Sequence, residues 1–201
     1  MNAALSLLIA YLLGAVPSGY LLVRWKTGRD IRASGSGNIG ATNVLRTTSR
    51  ALGVLTLLLD IAKGFCAVWI AARLTAASPV WMSAAALAAL AGHAFPVFLK
   101  FRGGKAMASY VGAFLCLTPL ALACALLLFL VVVAATRYIS LGSMAAVAAL
   151  PLAAWAIYRP APPVIAAAVI AGAFVIWRHK ENIARLCAGT ENVLSLGGPQ
   201  P

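Results

Sequence analysis

Three stretches of this chain gather side chains that can hold an anion. The first, residues 34–46, sets Ser36, Asn38, Thr42 and Asn43 among Gly35, Gly37 and Gly40 and ends on Arg46. Alternating glycines let successive backbone N–H groups converge into an anion-binding concavity and bring backbone close to a ligand. A helix starting near Thr42 would place Arg46 one turn further along the same face. The second stretch, residues 92–105, contains His93, Phe95, Phe98 and Phe101 and closes on Gly103-Gly104-Lys105. It is not a P-loop, because Leu99 replaces the first required Gly and Ala106 the required Ser or Thr. What remains is a Gly-Gly turn presenting Lys105, while Lys100 and Arg102 read as snorkelling charges. His93 reads as a structural hydrogen-bonding group within an apolar run. In the third stretch, residues 178–191, His179, Asn182 and Arg185 share one helical stripe and Gly189 can close the helix. A basic tail lying on anionic lipid would explain the Arg and Lys residues there but not the His-Asn pair.

Several chemistries are missing from the sequence. Neither His93 nor His179 has an Asp five residues on, so the His-x4-Asp dyad of many lipid acyltransferases is absent. There is no G-x-S-x-G elbow. Two His, four acids and scattered Cys66, Cys116, Cys124 and Cys187 offer no metal cage, and no metal or cofactor is expected. A site made of hydrogen-bond donors and positive charge suits phosphate-bearing substrates, whose negative charge grows or moves during reaction.

Those segments must be positioned by a membrane-embedded scaffold. Of 201 residues, 63% are hydrophobic and 10% charged, with a net charge of +12. A soluble domain is about 45–50% apolar and about 25% charged, so too little polar sequence exists here to cover a soluble surface. The lipid bilayer is the expected partner, and nucleic acid is not. The fold class expected is an all-α polytopic bundle. Apolar runs place spans at about 2–23, 51–74, 80–99, 139–158 and 161–178, with residues 106–136 either one overlong helix or two short ones broken at Thr118-Pro119. Basic residues follow the first run instead of preceding it, so it reads as a retained helix with its N-terminus outside. With seven spans, every Lys and Arg except Arg73, Arg159 and the intraspan Lys63 shares one face; with six, Arg137, Arg178, Lys180 and Arg185 swap sides with Arg159. The positive-inside rule therefore favours seven, a cytoplasmic C-terminus, and all three polar segments (about 24–50, 93–106 and 178–191) on the cytoplasmic face. Asp60 and Lys63, at i and i+3 within a span, are expected to neutralise one another facing the bundle.

The residues also carry a family resemblance. Gly35-Ser36-Gly37-Asn38-x-Gly40-Ala41-Thr42-Asn43-x-x-Arg46, Gly92-His93-x-Phe95-Pro96-x-Phe98 running to Gly103-Gly104-Lys105, and Arg178-His179-x-x-Asn182-Ile183-x-Arg185-Leu186 with Gly189 and Glu191 match one pattern in register. The chain resembles the bacterial acyl-phosphate:glycerol-3-phosphate acyltransferases, the PlsY family, over nearly its whole length. The resemblance implies one membrane domain over residues 1–201, seven helices and a multi-pass enzyme of the bacterial inner membrane. It implies transfer of an acyl group from acyl phosphate to the sn-1 hydroxyl of glycerol 3-phosphate, giving lysophosphatidic acid and phosphate. The mechanism it implies is substrate-assisted, with a substrate phosphate helping to deprotonate the attacking hydroxyl. Functional coupling to the enzyme that makes acyl phosphate follows as an expectation.

Carried over by motif position, the catalytic set is Ser36, Arg46, Lys105, His179 and Asn182. The substrate-binding set is Gly35, Gly37, Asn38, Thr42, Asn43, Gly104 and Ser143. Backbone around Ser36 and Asn38 would cradle a phosphate with help from Thr42. Arg46, Lys105 and His179 would neutralise phosphates, and Asn182 would orient glycerol 3-phosphate. The alternative from another class is a transporter for a phosphorylated anion. Polar motifs gathered on one face, without an inverted repeat, argue against it.

Overall fold

The computed structural model describes residues 2–194, and all regular structure among them is helical. Ten helices occur in chain order: α1 (Asn2–Ala15), α2 (Ser18–Thr27), α3 (Ala41–Thr47), α4 (Arg50–Leu74), α5 (Pro79–Ala94), α6 (Met107–Leu117), α7 (Pro119–Thr136), α8 (Ile139–Tyr158), α9 (Pro162–Arg178) and α10 (Lys180–Cys187). Five apolar stretches are long enough to cross a bilayer unaided: Asn2–Thr27, Arg50–Leu74, Pro79–Leu99, Pro119–Thr136 and Ile139–Tyr158. The pair α9 and α10, bent by 57°, qualifies when taken together. With 11 residues, α6 rises only about 16 Å, half of a ~30 Å hydrocarbon core.

Proline sets two of the breaks. Residues 106–136 are two helices, because Thr118, forced out of the helical region ahead of Pro119 (φ −146°, ψ 65°), ends α6. The Tyr158 hydroxyl accepts the hydrogen bond of the freed Leu120 N–H at 2.8 Å. The first apolar run differs from expectation. It is not one helix over 2–23 but two, parted at Val16-Pro17 and continuing to Thr27, where Gly28 (φ 70°) closes α2 by donating to Arg24 O at 2.9 Å. Pro17 has no N–H to continue the ladder, and the uniform hydropathy of the run hides the interruption.

Small residues set how closely the helices approach. A methyl on Gly14 would overlap the Ala89 carbonyl and one on Gly92 the Tyr11 carbonyl, so α1 and α5 meet backbone to backbone. Gly64 and Gly112 do the same between α4 and α6, against Ser109 and Ile61. Without a hydrophobic drive between helices in lipid, such close packing supplies much of the attraction. A bulkier core of Val68, Leu90, Tyr110, Phe114, Val147 and Leu150 fills the space between α4, α5, α6, α8 and α9. Outward, α7 leaves Leu127 and Leu130 about 60% exposed (63% and 60%), a surface suited to lipid.

Asp60 and Lys63 pair at 2.8 Å inside α4, both almost wholly buried. Lys63 Nζ also donates to Val16 O, the carbonyl beside the Pro17 break, at 2.8 Å.

Candidate active site

The three polar segments meet at one end of the bundle. A cleft of about 180 Å³ is lined by Ser36, Gly37 and Asn38 from the first, Gly103 and Lys105 from the second, and Trp177, Arg178, Lys180 and Glu181 from the third. It adjoins a broader hollow of about 610 Å³ through the shared Gly37, Gly103 and Arg178; Arg32, Phe101 and Arg102 also line that hollow.

The first wall is a loop braced from within. Asn43, on α3, is buried beneath it and accepts the Ser36 N–H at 3.0 Å through Oδ1. Its Nδ2 donates to Asn38 O at 2.8 Å and Ser34 O at 3.0 Å. Asn38 Oδ1 in turn accepts the Gly40 N–H at 2.8 Å. Gly35 (φ 57°) and Gly37 (φ 68°) supply the left-handed turns the loop needs. Asn43, read from the sequence as a substrate contact, is therefore an internal brace whose amide is fully engaged by backbone. Thr42 is exposed and Arg46 half-buried one turn later on α3, as the helical spacing predicts. The Arg46 side chain makes no hydrogen bond or ion pair among the described residues, and it stands outside the cleft lining.

The second wall is a strap. After α5 the chain makes a single 3-10 turn, Val97–Leu99, and passes through left-handed Lys100 and Phe101. Gly103 N–H then donates to Ala94 O and Gly104 N–H to His93 O, both at 3.1 Å, which lays the strap against the end of α5. A methyl at either glycine would strike α5: at Gly103 the His93 carbonyl, at Gly104 the His93 ring. Arg178 grips the strap from the other side, donating to Gly104 O at 3.1 Å and Gly103 O at 3.2 Å. Its guanidinium lies 5.4 Å from the Phe95 ring and 5.7 Å from Trp177, which holds it in the fork geometry. Lys105 emerges directly from this strap.

The third wall is a polar network behind Lys105. Lys105 Nζ donates to Asn182 Oδ1. Asn182 Nδ2 donates to Glu191 Oε1 at 2.7 Å, Arg185 to Glu191 Oε2 at 2.7 Å, and Ser140 to Glu191 Oε1 at 2.9 Å. Glu191 thus ties α8, α10 and the tail together. Burial works to raise the Glu191 pKa, but the bonds from Asn182, Arg185 and Ser140 outweigh it and hold the carboxyl below its usual value. Burial, with Arg185 nearby, holds the Lys105 ammonium below the ordinary lysine range; Glu191 and Glu181 oppose the shift.

Two expectations shift here. Ser143 donates to Ile139 O at 2.8 Å within α8 and is buried there, so it is not at the cleft; Ser140, one turn earlier, is the serine that joins the network. His179 sits at the α9–α10 bend, not on the α10 stripe, with Nδ1 2.7 Å from Val175 O. A carbonyl only accepts, so Nδ1 carries the hydrogen and Nε2 is the atom left for a ligand. Arg178, Ser140 and Glu191 escaped the sequence-based site set. Their roles depend on contacts that span 74, 51 and 9 residues respectively.

Fold and site together define a polytopic membrane protein with a basic, glycine-walled cleft at one end, fit for a phosphorylated ligand. The model of the family described as glycerol-3-phosphate acyltransferase matches residues 4–189. A glycerol-3-phosphate acyltransferase of Geobacter sulfurreducens is 48% identical over 192 residues, covering 96% of this chain and 97% of the relative. One of Trichlorobacter lovleyi is 49% identical over 186 residues, 91% and 93% of the two chains. Among solved structures, the integral membrane glycerol 3-phosphate acyltransferase PlsY (YgiH) in its glycerol 3-phosphate form is similar with a TM-score of 0.92 at 35% identity, covering 97% of this chain and 96% of that one. Its lysophosphatidic acid form gives 0.89 at 34% identity, with the same coverage. The chain belongs to the glycerol-3-phosphate acyltransferase family, and so is an integral membrane acyltransferase.

Proposed function

We propose that this enzyme moves a fatty acyl group from acyl phosphate to the sn-1 hydroxyl of glycerol 3-phosphate, releasing lysophosphatidic acid and inorganic phosphate. The observation that carries the reading is the convergence of Ser36, Asn38, Lys105 and Arg178 on one small cleft, where donors and positive charge meet. A relative solved with glycerol 3-phosphate and with lysophosphatidic acid supports the acceptor and the product.

The chemistry asks little of a protein base. Acyl phosphate is a mixed anhydride: the attacking hydroxyl forms a new C–O ester bond, the acyl carbon–oxygen bond to phosphate breaks, and phosphate leaves with the electron pair. The hydroxyl proton passes to a substrate phosphate. Catalysis is then chiefly positioning, which can supply about 7–11 kcal/mol. Lys105 neutralises phosphate charge in the cleft and Arg46 does so from outside its lining, the Ser36 hydroxyl and the loop backbone at Asn38 offer donors, and Asn182 and His179 Nε2 orient glycerol 3-phosphate. The acyl chain lies along the apolar helices, gaining about 0.8 kcal/mol per buried CH₂. No metal or other cofactor takes part. The basic residues around the cleft support its placement on the cytoplasmic side of a bacterial inner membrane, where coupling to an acyl-phosphate-producing enzyme is direct.

Purified protein given palmitoyl phosphate, with and without glycerol 3-phosphate, tests this. Phosphate release that requires glycerol 3-phosphate and equals the lysophosphatidic acid scored by mass is expected. Folded protein that makes no lipid product but carries labelled glycerol 3-phosphate into liposomes would overturn the reading in favour of transport.

A further inference from the structure

The buried ion pair of α4 has no part in the chemistry above, yet it is connected to the cleft. His93 Nδ1 lies 3.9 Å from Asp60 Oδ1 and 3.2 Å from Ser109 Oγ, so one edge of the ring is turned to the charged pair and to α6. The opposite edge faces the strap. Gly104 sits so close to Nε2 that a methyl there would overlap the ring, and the His93 carbonyl takes the Gly104 N–H at 3.1 Å. Arg178 holds the strap from the far side through both glycine carbonyls. The two glycines are thus clamped between a histidine and an arginine, and the next residue is Lys105.

We propose that His93, seated on the Asp60–Lys63 pair, is a positioning residue that sets how far Lys105 reaches into the cleft. The pair is a fixed reference point. Asp60 and Lys63 are tied to each other, and Lys63 to Val16 O, and neither can move outward without carrying a charge toward lipid. A ring hydrogen-bonded to Ser109 Oγ at 3.2 Å and packed 3.9 Å from Asp60 on its Nδ1 edge presents its Nε2 edge at one height, and Gly104 lies against it while Gly103 lies against the His93 carbonyl. Bundle stability alone gives no reason for this arrangement, since well-packed apolar residues commonly replace a buried charged pair at no cost. A strap two residues long with no helix of its own needs such a floor, because a displacement of about 1 Å at a reacting centre costs up to about 100-fold in rate.

The turnover half of the test rests on reading the cleft as the glycerol 3-phosphate site; the labelling half does not. Full-length protein in detergent is compared with His93→Asn and His93→Ala, with folding checked by thermal melt and gel filtration. The first readout is acetylation of Lys105 by acetic anhydride, followed by mass spectrometry, with exposed Lys26 and Lys100 as internal standards. The second is KM for glycerol 3-phosphate at saturating palmitoyl phosphate. Lys105 labelling is expected to rise several-fold relative to the standards, and KM to rise about tenfold or more with a smaller change in kcat. A Gly104→Ala variant is expected to raise KM in the His93 background and to be partly rescued by His93→Asn, whose shorter side chain vacates the overlap. Folded His93 variants with unchanged Lys105 labelling would overturn the proposal, as would Gly104→Ala showing no rescue. Altered labelling in a protein that does not turn over substrate would support the positioning role while removing the reading of the cleft. Should His93→Ala fail to fold, His93→Asn and its pairing with Gly104→Ala decide alone.

Discussion

The two glycine-rich walls of the cleft are held in opposite ways. The loop at residues 34–43 is braced by Asn43, a side chain from its own end, within nine residues of every partner it grips except Ile31. The strap at Gly103-Gly104 is held by His93, from the helix before it, and by Arg178, more than seventy residues away. One wall carries its own support and the other borrows support from the bundle. Disturbing the loop should therefore be a local stability event, whereas disturbing the strap should change what Lys105 can reach.

Experiments can break this contrast, beginning with the group it exists to place. Lys105→Ala is expected to lower kcat/KM by about 10²–10³ while the melt stays near that of the parent, the scale seen when one charge-stabilising donor is removed. Near-parental turnover would take Lys105 out of the chemistry and leave the strap without a purpose. Next, Arg178→Ala is expected to raise KM for glycerol 3-phosphate about tenfold or more, with a modest change in melting. Asn43→Ala should do the reverse first, costing about 1–3 kcal/mol of stability because buried backbone groups lose their partner. Equal effects from both on melt and on KM would erase the distinction between the walls.

A pH series sharpens the comparison. Burial and Arg185 already depress the Lys105 pKa, so its ammonium is lost at a lower pH than that of a free lysine. An anion needs the charged form; KM for glycerol 3-phosphate should rise as pH climbs through this depressed range, and Lys105→Arg should flatten the profile. A flat profile in the parent would show that Lys105 does not meet the anion. The smallest effect is expected from excess EDTA, which should leave the rate unchanged. No group of three His, Cys, Asp or Glu that could hold a metal occurs among the described residues.

What could be read in the sequence follows the same division. Lys105 stood out because a charge behind two glycines in so apolar a chain has few other uses, and the helix at Thr42 and Arg46 followed from spacing. Asn43 misled because a short amide in a loop looks identical whether it binds a ligand or its own backbone. The choice of Ser140 over Ser143 rests on which face of α8 meets Glu191, fifty-one residues on, a rotation that local pattern does not encode. Arg178 reads from sequence as one more interfacial cation, because its two carbonyl partners lie more than seventy residues away. The break at Pro17 was concealed by an apolar run long enough to span without it.

That break bears on how the protein is built as well as on how it stands. A helix leaving the insertion machinery with an aspartate and a lysine at its middle faces about 2.5–3.5 kcal/mol or more for each. In the finished protein, Lys63 has two acceptors: Asp60 from its own helix, and the Val16 carbonyl at the Pro17 break, which also takes the Ser18 N–H at 3.1 Å. The broken first span, made earlier in synthesis, thus waits in the bilayer with a carbonyl held only by the Ser18 N–H, ready for the lysine that α4 brings. Replacing Pro17 with a helix-continuing residue would close that carbonyl before Lys63 arrived, and the cost would fall on membrane insertion of α4.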